Sequence, residues 1–366
     1  MMRKVDRGGT WSWESSIPPT ISCRRFRRRF ALILVIACAA FLSTAFLPWQ
    51  SAVSPSLTPG FNQTQSSAGK IIRVDVSLVT VPVMVTDKSG NHVPGLRAGN
   101  FRIFEDGAAQ QIDRLFPEAE PFHVGMMLDS SGSTRLQYSD IQKAALAFAK
   151  ALRPQDRLMI ISFDTSVSYH SGFTADRDRI GAAIMETGTT NQKTGLYDAI
   201  DRVLSDQFDR LPGRKAIVLF SDGVDNASER MERGATLSRI ERSDVVVYAV
   251  QYDTRDGTPD RYPLPAAQTP VAFNTLYKRA VKFLGDLSKR SGGCRYQAGS
   301  IDTLNAAFSQ IASELPLQYT LCYYPARVSR AGSYHRIRVT VDRPGVKVRS
   351  RTGYRAGYPT PEARCP

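Results

Sequence analysis

Cysteine and histidine are scarce in this chain: five cysteines and four histidines in 366 residues. Only Cys294, Cys322 and Cys365 follow the apolar run that ends near residue 47. An odd, widely spaced set of three makes neither a disulfide framework nor a zinc-ligand pattern, although export would permit one bridge. The histidines (His92, His123, His170, His335) stand in no recognisable relation to a candidate nucleophilic serine, which argues against a Ser–His hydrolase. A phosphate loop and a GxGxxG following a strand are both missing, so the common nucleotide sites are excluded. There are no internal repeats. Basic residues outnumber acidic ones, giving a formal charge of +14, but eight of the cations lie in residues 1–30 beside two acids. The remaining 40 basic and 32 acidic residues leave +8 without a dense cluster or basic–aromatic interleaving, so nucleic acid is not an expected partner.

The length allows two or three domains, and 42% hydrophobic with 22% charged residues is ordinary globular material. The N-terminal cations form the block "RRFRRRF", followed by the apolar run Phe30–Leu47. That order is a signal peptide or signal anchor, and the run is close to the ~20 residues that span a bilayer. The positive block holds the N-terminus inside, so the chain beyond Pro48 is expected in the cell envelope or periplasm. It would be membrane-anchored through residues 30–47, or released after cleavage; "VIAC" at Val35–Cys38 gives a weaker lipoprotein alternative. Residues 49–70, rich in Ser, Thr, Pro and Gly, read as a flexible linker.

Residues 71–117 have a strand-and-turn pattern, with "FRIFEDGAAQQI" as a hairpin around Asp106–Gly107. From residue 118 the pattern becomes strand–helix–strand. A helix over about 138–152 places Ile141, Ala145, Phe148 and Leu152 on one face, and "KAIVLFSDG" and "DVVVYAVQY" are continuous apolar strands of a buried parallel sheet. Further helices are expected near 228–242, 275–290 and 303–315, with a Pro-rich loop over 253–273. After residue 315 strands return: "LQYTLCYYP", "HRIRVTVD", "VKVRSRTGY". The fold class is therefore α/β, a Rossmann-like, doubly wound, mostly parallel sheet spanning 118–315. It is inserted between β segments, 71–117 and 316–358, that pair into a small β-sandwich-like domain.

Three short motifs fall where such a sheet binds ligands. "DSSGS" ends the first parallel strand, Thr194 precedes a helix, and Asp222 ends the strand "KAIVLFSD". Carboxyl ends of strands share one rim. Asp129, Ser131, Ser133, Thr194 and Asp222 can meet there, and all five offer oxygen. Such a set suits a hard divalent ion, magnesium before zinc. Taken singly, each acid or hydroxyl could equally be a helix cap or turn residue.

The pattern Asp129-x-Ser131-x-Ser133, then Thr194, then Asp222 resembles the metal-ion-dependent adhesion site of von Willebrand factor type A domains. "VPVMVTDKSGNHVPGLRAGNFRIFEDG", "LYDAI", "VLFSDGVDN" and "QYTLCYYP…RTGY" extend the resemblance to acidobacterial-type VWFA-related proteins over residues 74–354. The resemblance implies that Ser131, Ser133 and Thr194 ligate the ion directly, and Asp129 and Asp222 directly or through water. Neutral hydroxyls leave the cation's charge partly uncancelled. A protein partner would then complete the shell with an Asp or Glu carboxylate, and Mn2+ could replace Mg2+. Lys193 stands where the family has glycine. The expected function is metal-dependent protein binding or adhesion in the envelope, not catalysis. The alternatives are a hydrolase using Ser131 or Asp129, and a structural envelope protein with a non-adhesive metal site. Cys294 and Cys322 fall in different domains by this reading, and a bridge between them is not expected.

Overall fold

The computed structural model describes residues 78–116, 120–190, 192–252, 270–327 and 329–357. The arginine block, the run at 30–47, Cys38, the linker at 49–70, residues 253–269 of the Pro-rich loop, and Cys365 lie outside the described residues. Among the described residues no helix is long and apolar enough to cross a membrane.

Four strands precede the α/β unit: β1 (Val79–Thr86), β2 (Phe101–Glu105), β3 (Ala108–Gln110) and β4 (Arg114–Phe116). The unit itself runs through β5 (Phe122–Asp129), α1 (Tyr138–Ala151), β6 (Arg157–Phe163), β7 (Val167–Tyr169), α2 (Arg177–Glu186), α3 (Leu196–Val203), β8 (Arg214–Ser221), α4 (Arg233–Arg242), β9 (Val246–Tyr252), α5 (Pro270–Ser291), β10 (Arg295–Ala298) and α6 (Ile301–Glu314). Its sheet has the order β10-β9-β8-β5-β6-β7, parallel except for β7 at the edge. The strands are apolar residue after residue because both faces are covered. Val124, Val218 and Val250 pack under α1, α2 and α6 through Ile141, Phe148, Ile184 and Phe308. Met127, Leu219 and Val247 face α3, α4 and α5 through Ile200, Leu237 and Phe283.

Four strands follow: β11 (Tyr319–Tyr323), β12 (Tyr334–Val341), β13 (Lys347–Ser350) and β14 (Gly353–Arg355). With the first four they make two antiparallel sheets, β13-β1-β11-β4 and β14-β12-β2-β3, each mixing strands from both sides of the α/β unit. Val81 and Leu321 of one sheet share a core with Ile103 and Val339 of the other. Asp106 (φ 48°) and Gly107 (φ 90°) turn the β2–β3 hairpin in the left-handed region, the conformation a two-residue loop needs. The doubly wound sheet and the flanking β layer anticipated from the sequence are thus both present.

Several helices depart from the sequence reading. α2 was not anticipated; its start is set by Asp176, whose carboxylate accepts from the amides of Asp178 and Arg179. α4 begins at Arg233 rather than near residue 228, because the Asp198 carboxylate captures the amides of Glu229, Arg230 and Met231. α5 starts at Pro270, five residues before the anticipated Thr275.

The sandwich is attached at the amino edge of the parallel sheet. Arg214, the first residue of β8, donates to the carbonyl of Glu120 (3.1 Å) on the incoming crossover and to those of Leu315 (3.3 Å) and Gln318 on the outgoing one. Its guanidinium also lies 4.0 Å from the Phe122 ring centroid. Buried Arg351 donates to the carbonyls of Gly353 and Thr80 in the sandwich, and to Glu241 (2.7 Å) and Ser243 (3.0 Å) at the end of α4.

Candidate metal centre at the carboxyl edge of the sheet

From β5 the chain first adds β6 on one side, then returns to place β8 on the other. This reversal makes the carboxyl ends of β5 and β8 a topological switch point, the place where open α/β sheets form crevices. Asp129 is the last residue of β5 and Asp222 follows the last residue of β8. The turn after Asp222 needs Gly223: it sits at φ 82°, and a Cβ there would come within 2.8 Å of Leu284 on α5.

Three loops converge at this edge and are tied to one another. In the first, Ser131 N–H donates to Asp129 Oδ1 (3.1 Å), and the Ser131 and Ser133 hydroxyl oxygens lie 3.1 Å apart. The second, carrying Thr194, is bound to the first by Thr190 N–H donating to the Ser130 carbonyl (2.8 Å) and Gly132 N–H to the Gln192 carbonyl (3.3 Å). The third, after β8, holds the Thr194 backbone from both sides. Asn226 Oδ1 accepts from Thr194 N–H (2.8 Å), while Asn226 and Ala227 N–H donate to the Thr194 carbonyl. Ser133 donates to the Asp222 carboxylate. The structure therefore brings Asp129, Ser131, Ser133, Thr194 and Asp222 to one rim.

The electrostatics of the rim are unbalanced. Asp129 is 0% exposed and Asp222 4%. Burial pushes the Asp222 carboxyl up to about 7, and the neighbouring Asp129 adds to the rise. Burial also raises Asp129, against hydrogen bonds from Ser131 and Ser221, and Asp164 reinforces the rise. Among the described residues no Lys or Arg forms an ion pair with either carboxylate. Two buried carboxyls with converging hydroxyls and no basic partner form a donor set that fits a hard divalent cation, which would cancel the charge burial disfavours.

Four supporting residues, Ser221, Asn226, Asp164 and Thr190, escaped the sequence reading. Ser221 donates its hydroxyl to Asp129 Oδ2 (2.7 Å) and accepts from Gly223 N–H (2.9 Å). Asn226 locks Thr194 as described. Asp164 follows β6, which runs parallel beside β5; its carboxylate accepts from Thr190 (2.9 Å), and its carbonyl accepts from Gly195 N–H (2.7 Å). Ser221 and Asn226 lie within four residues of Asp222, and Asp164 ends a strand on the same rim, so proximity in chain and topology was the available signal. Asp225 caps α3 by accepting from Tyr197 N–H in its first turn.

The histidines lie elsewhere. His123 begins β5 at the opposite edge and packs edge-on to Phe173, His170 bonds Ser162 (2.8 Å), and His92 and His335 belong to the sandwich. A second acidic group, Glu105, Asp106 and His335, converges in the sandwich. It is satisfied internally: Tyr323 and Tyr354 hydroxyls donate to Glu105 Oε2, and His335 Nδ1 lies 2.8 Å from Asp106 Oδ2. Cys294 and Cys322 are free thiols.

Residues 124–224 match the family described as von Willebrand factor type A domain. No curated protein sequence matches the chain. Similar solved structures include a von Willebrand factor type A protein from Catenulispora acidiphila (12% identity, 75% of this chain and 72% of that one, TM-score 0.42). Another is proximal thread matrix protein 1 from the mussel byssus, with a zinc-occupied MIDAS motif (14% identity, 58% and 49% covered, TM-score 0.43). A third is an aerotolerance-related membrane protein from Bacteroides fragilis (15% identity, 53% and 98% covered, TM-score 0.40).

Proposed function

We propose that this chain, whose residues 124–224 match the von Willebrand factor type A domain family, holds a divalent cation at its carboxyl-edge rim and captures a protein partner there. Ser131, Ser133 and Thr194 would supply hydroxyl ligands, and Asp129 and Asp222 would hold the ion directly or through water. Magnesium is the preferred ion, with manganese as a substitute, because the donors are all oxygen. The bound cation would supply an incompletely neutralised positive charge facing an acidic side chain of the partner. The observation that carries this reading is the pair of buried carboxyls without a basic partner.

The protein's own residues set the geometry. Ser221 and the Ser131 amide fix the Asp129 carboxylate, and Asn226 fixes the Thr194 backbone, so the donors are pre-arranged by neighbours that need not move on binding. The same geometry supports binding rather than hydrolysis. The Ser131 hydroxyl is engaged by the Ser133 hydroxyl (3.1 Å) and the Asp129 carboxylate, and all four histidines are placed elsewhere. The arginine block and apolar run at the N-terminus support a location in the cell envelope, with the binding rim outside the cytoplasm.

The test is capture of envelope proteins on the full-length chain. Capture should disappear in chelator, return with magnesium or manganese, and fail with Asp222→Asn under all conditions. A partner retained equally in chelator would contradict metal-dependent capture, and turnover of generic ester or phosphate substrates would favour the hydrolase instead.

A further inference from the structure

A cleft lies where the β layers meet the end of helix α5, away from the rim. It measures about 450 Å³ and opens between the α5–β10 corner and strands β12 and β13. Its volume is within the range of small-molecule sites, roughly 300–1,000 Å³. Lys289, Arg295, Arg338, Arg349 and the carbonyl-bound Arg351 line it, and among the described residues no acidic side chain does. The cations are not equivalent. Arg349 is paired with Glu314, and Arg295 donates to Gln251 Oε1. Arg338 lies 4.3 Å above the Phe104 ring, an arrangement that holds the guanidinium in place without neutralising it. Lys289 is exposed, and neither it nor Arg338 has a carboxylate partner among the described residues.

The wall between these cations is polar and unsatisfied. Ser288, 1% exposed, lines the cleft, and its hydroxyl has no hydrogen-bond partner. A buried hydroxyl without a partner costs folding free energy unless a ligand or water meets it. Arg349 Nε, also lining the cleft, is another donor without a partner. Gly285 and Gly293 line it without side chains, and a Cβ at Gly293 would lie 2.0 Å from the Val247 carbonyl, so the backbone at this corner packs directly on β9.

We propose that this cleft binds a small phosphate-bearing anion. Arg338 and Lys289 would supply charge, and Ser288 and Arg349 Nε would supply hydrogen bonds that no other described residue meets. Charge-assisted hydrogen bonds to phosphate oxygens are the strong kind, and guanidinium groups match phosphate geometry in two-point contacts. The phosphate could belong to a soluble molecule or to a lipid headgroup.

Calorimetric titration of inorganic pyrophosphate into the full-length protein, in chelator so that no metal bridges the anion, tests the proposal. Saturable binding is expected, weakened about tenfold by Lys289→Ala and by Arg338→Ala, since one lost charged contact corresponds to about a tenfold change. Ser288→Ala should weaken binding by a smaller factor, while sulfate at equal ionic strength competes. Absence of saturable heat, or equal affinity in wild type, Lys289→Ala and Arg338→Ala, overturns the proposal. Co-sedimentation with phosphatidylglycerol vesicles, compared between wild type and the Arg338→Ala variant so that any anchor contributes equally, separates the sources. A variant-dependent loss that pyrophosphate also produces assigns a headgroup, and no variant dependence assigns a soluble phosphate.

Discussion

At the carboxyl edge of the parallel sheet, Asp129 and Asp222 are buried with hydroxyl and amide neighbours but no cation. At the amino edge, Arg214 and Arg351 are buried just as deeply, yet each guanidinium is spent on backbone carbonyls from both parts of the fold. Glu241 beside them is paired with both Arg290 and Arg355. The two edges show two ways in which the fold meets a buried charge. A structural charge has its partners inside the chain, so burial costs little beyond desolvation already met. At the carboxyl edge no basic side chain among the described residues meets the two carboxyls, which leaves their charge to a proton or to the cation proposed above. Burial lowers the Arg214 guanidinium to about 10, so it stays charged at neutral pH, whereas Asp222, raised to about 7, is poised between forms.

Breaking the amino edge should have the largest effect. Arg351→Leu removes the donors for the Gly353, Thr80, Glu241 and Ser243 carbonyls at once. A loss of about 3–5 kcal/mol is expected in denaturant unfolding, typical of removing one side of a buried charged network. Metal affinity of the remaining folded protein should be unchanged, because the rim is at the other end of the strands.

The carboxyl edge should respond with the opposite sign. In chelator, the folded state holds a proton on Asp222 up to about pH 7, whereas the unfolded chain releases it near 3.8. The folded state thus binds more protons between those values, so stability should fall as pH rises from about 4 to 7 and level off above. Asp222→Asn should flatten that slope and leave the metal-free protein at least as stable at pH 8, while abolishing stabilisation by magnesium. Thermal unfolding at several pH values, with and without magnesium, reads both. A destabilised Asn variant in chelator would mean that the Asp222 carboxylate is there to hold the Ser133 hydroxyl and the Val224 amide rather than a cation.

Thr194→Ala is expected to be a smaller perturbation. It removes one neutral donor and no charge, and the Asn226 bonds that hold the loop are to the backbone. Metal affinity should drop about tenfold with little change in metal-free stability, and Thr194→Ser should restore it. Fluorescence-monitored magnesium titration distinguishes the two substitutions.

Much of this contrast was legible in the chain and some of it was not. The alternating and continuous apolar patterns gave the sheets, and the five oxygen donors stood out because small polar residues follow apolar strands at matching ends. The supporting layer was opaque for a physical reason. Ser221, Asp164, Thr190 and Asn226 act through contacts between loops that are 26 to 92 residues apart, and no local periodicity encodes those. Helix α2 was missed because its opening turn, "DRDR", is wholly charged, and only the Asp176 cap marks it. The start of α4 was placed too early for a related reason: Asp198, 31 residues away, takes the amides that would have continued the helix. The amino-edge arginines carried no motif at all, since each is defined by the carbonyls it meets.

The central claim is that the carboxyl edge is short of one cation. Isothermal titration of magnesium into the wild-type protein and Asp129→Asn tests it most directly, because Asn keeps the side chain's shape and one acceptor for the Ser131 amide, gives up the second acceptor that Ser221 uses, and removes the charge. Saturable binding to the wild type and none to the variant is the predicted result. Equal heats from both proteins, or no binding to either, would contradict the account and leave "DSSGS" as a turn that closes a strand.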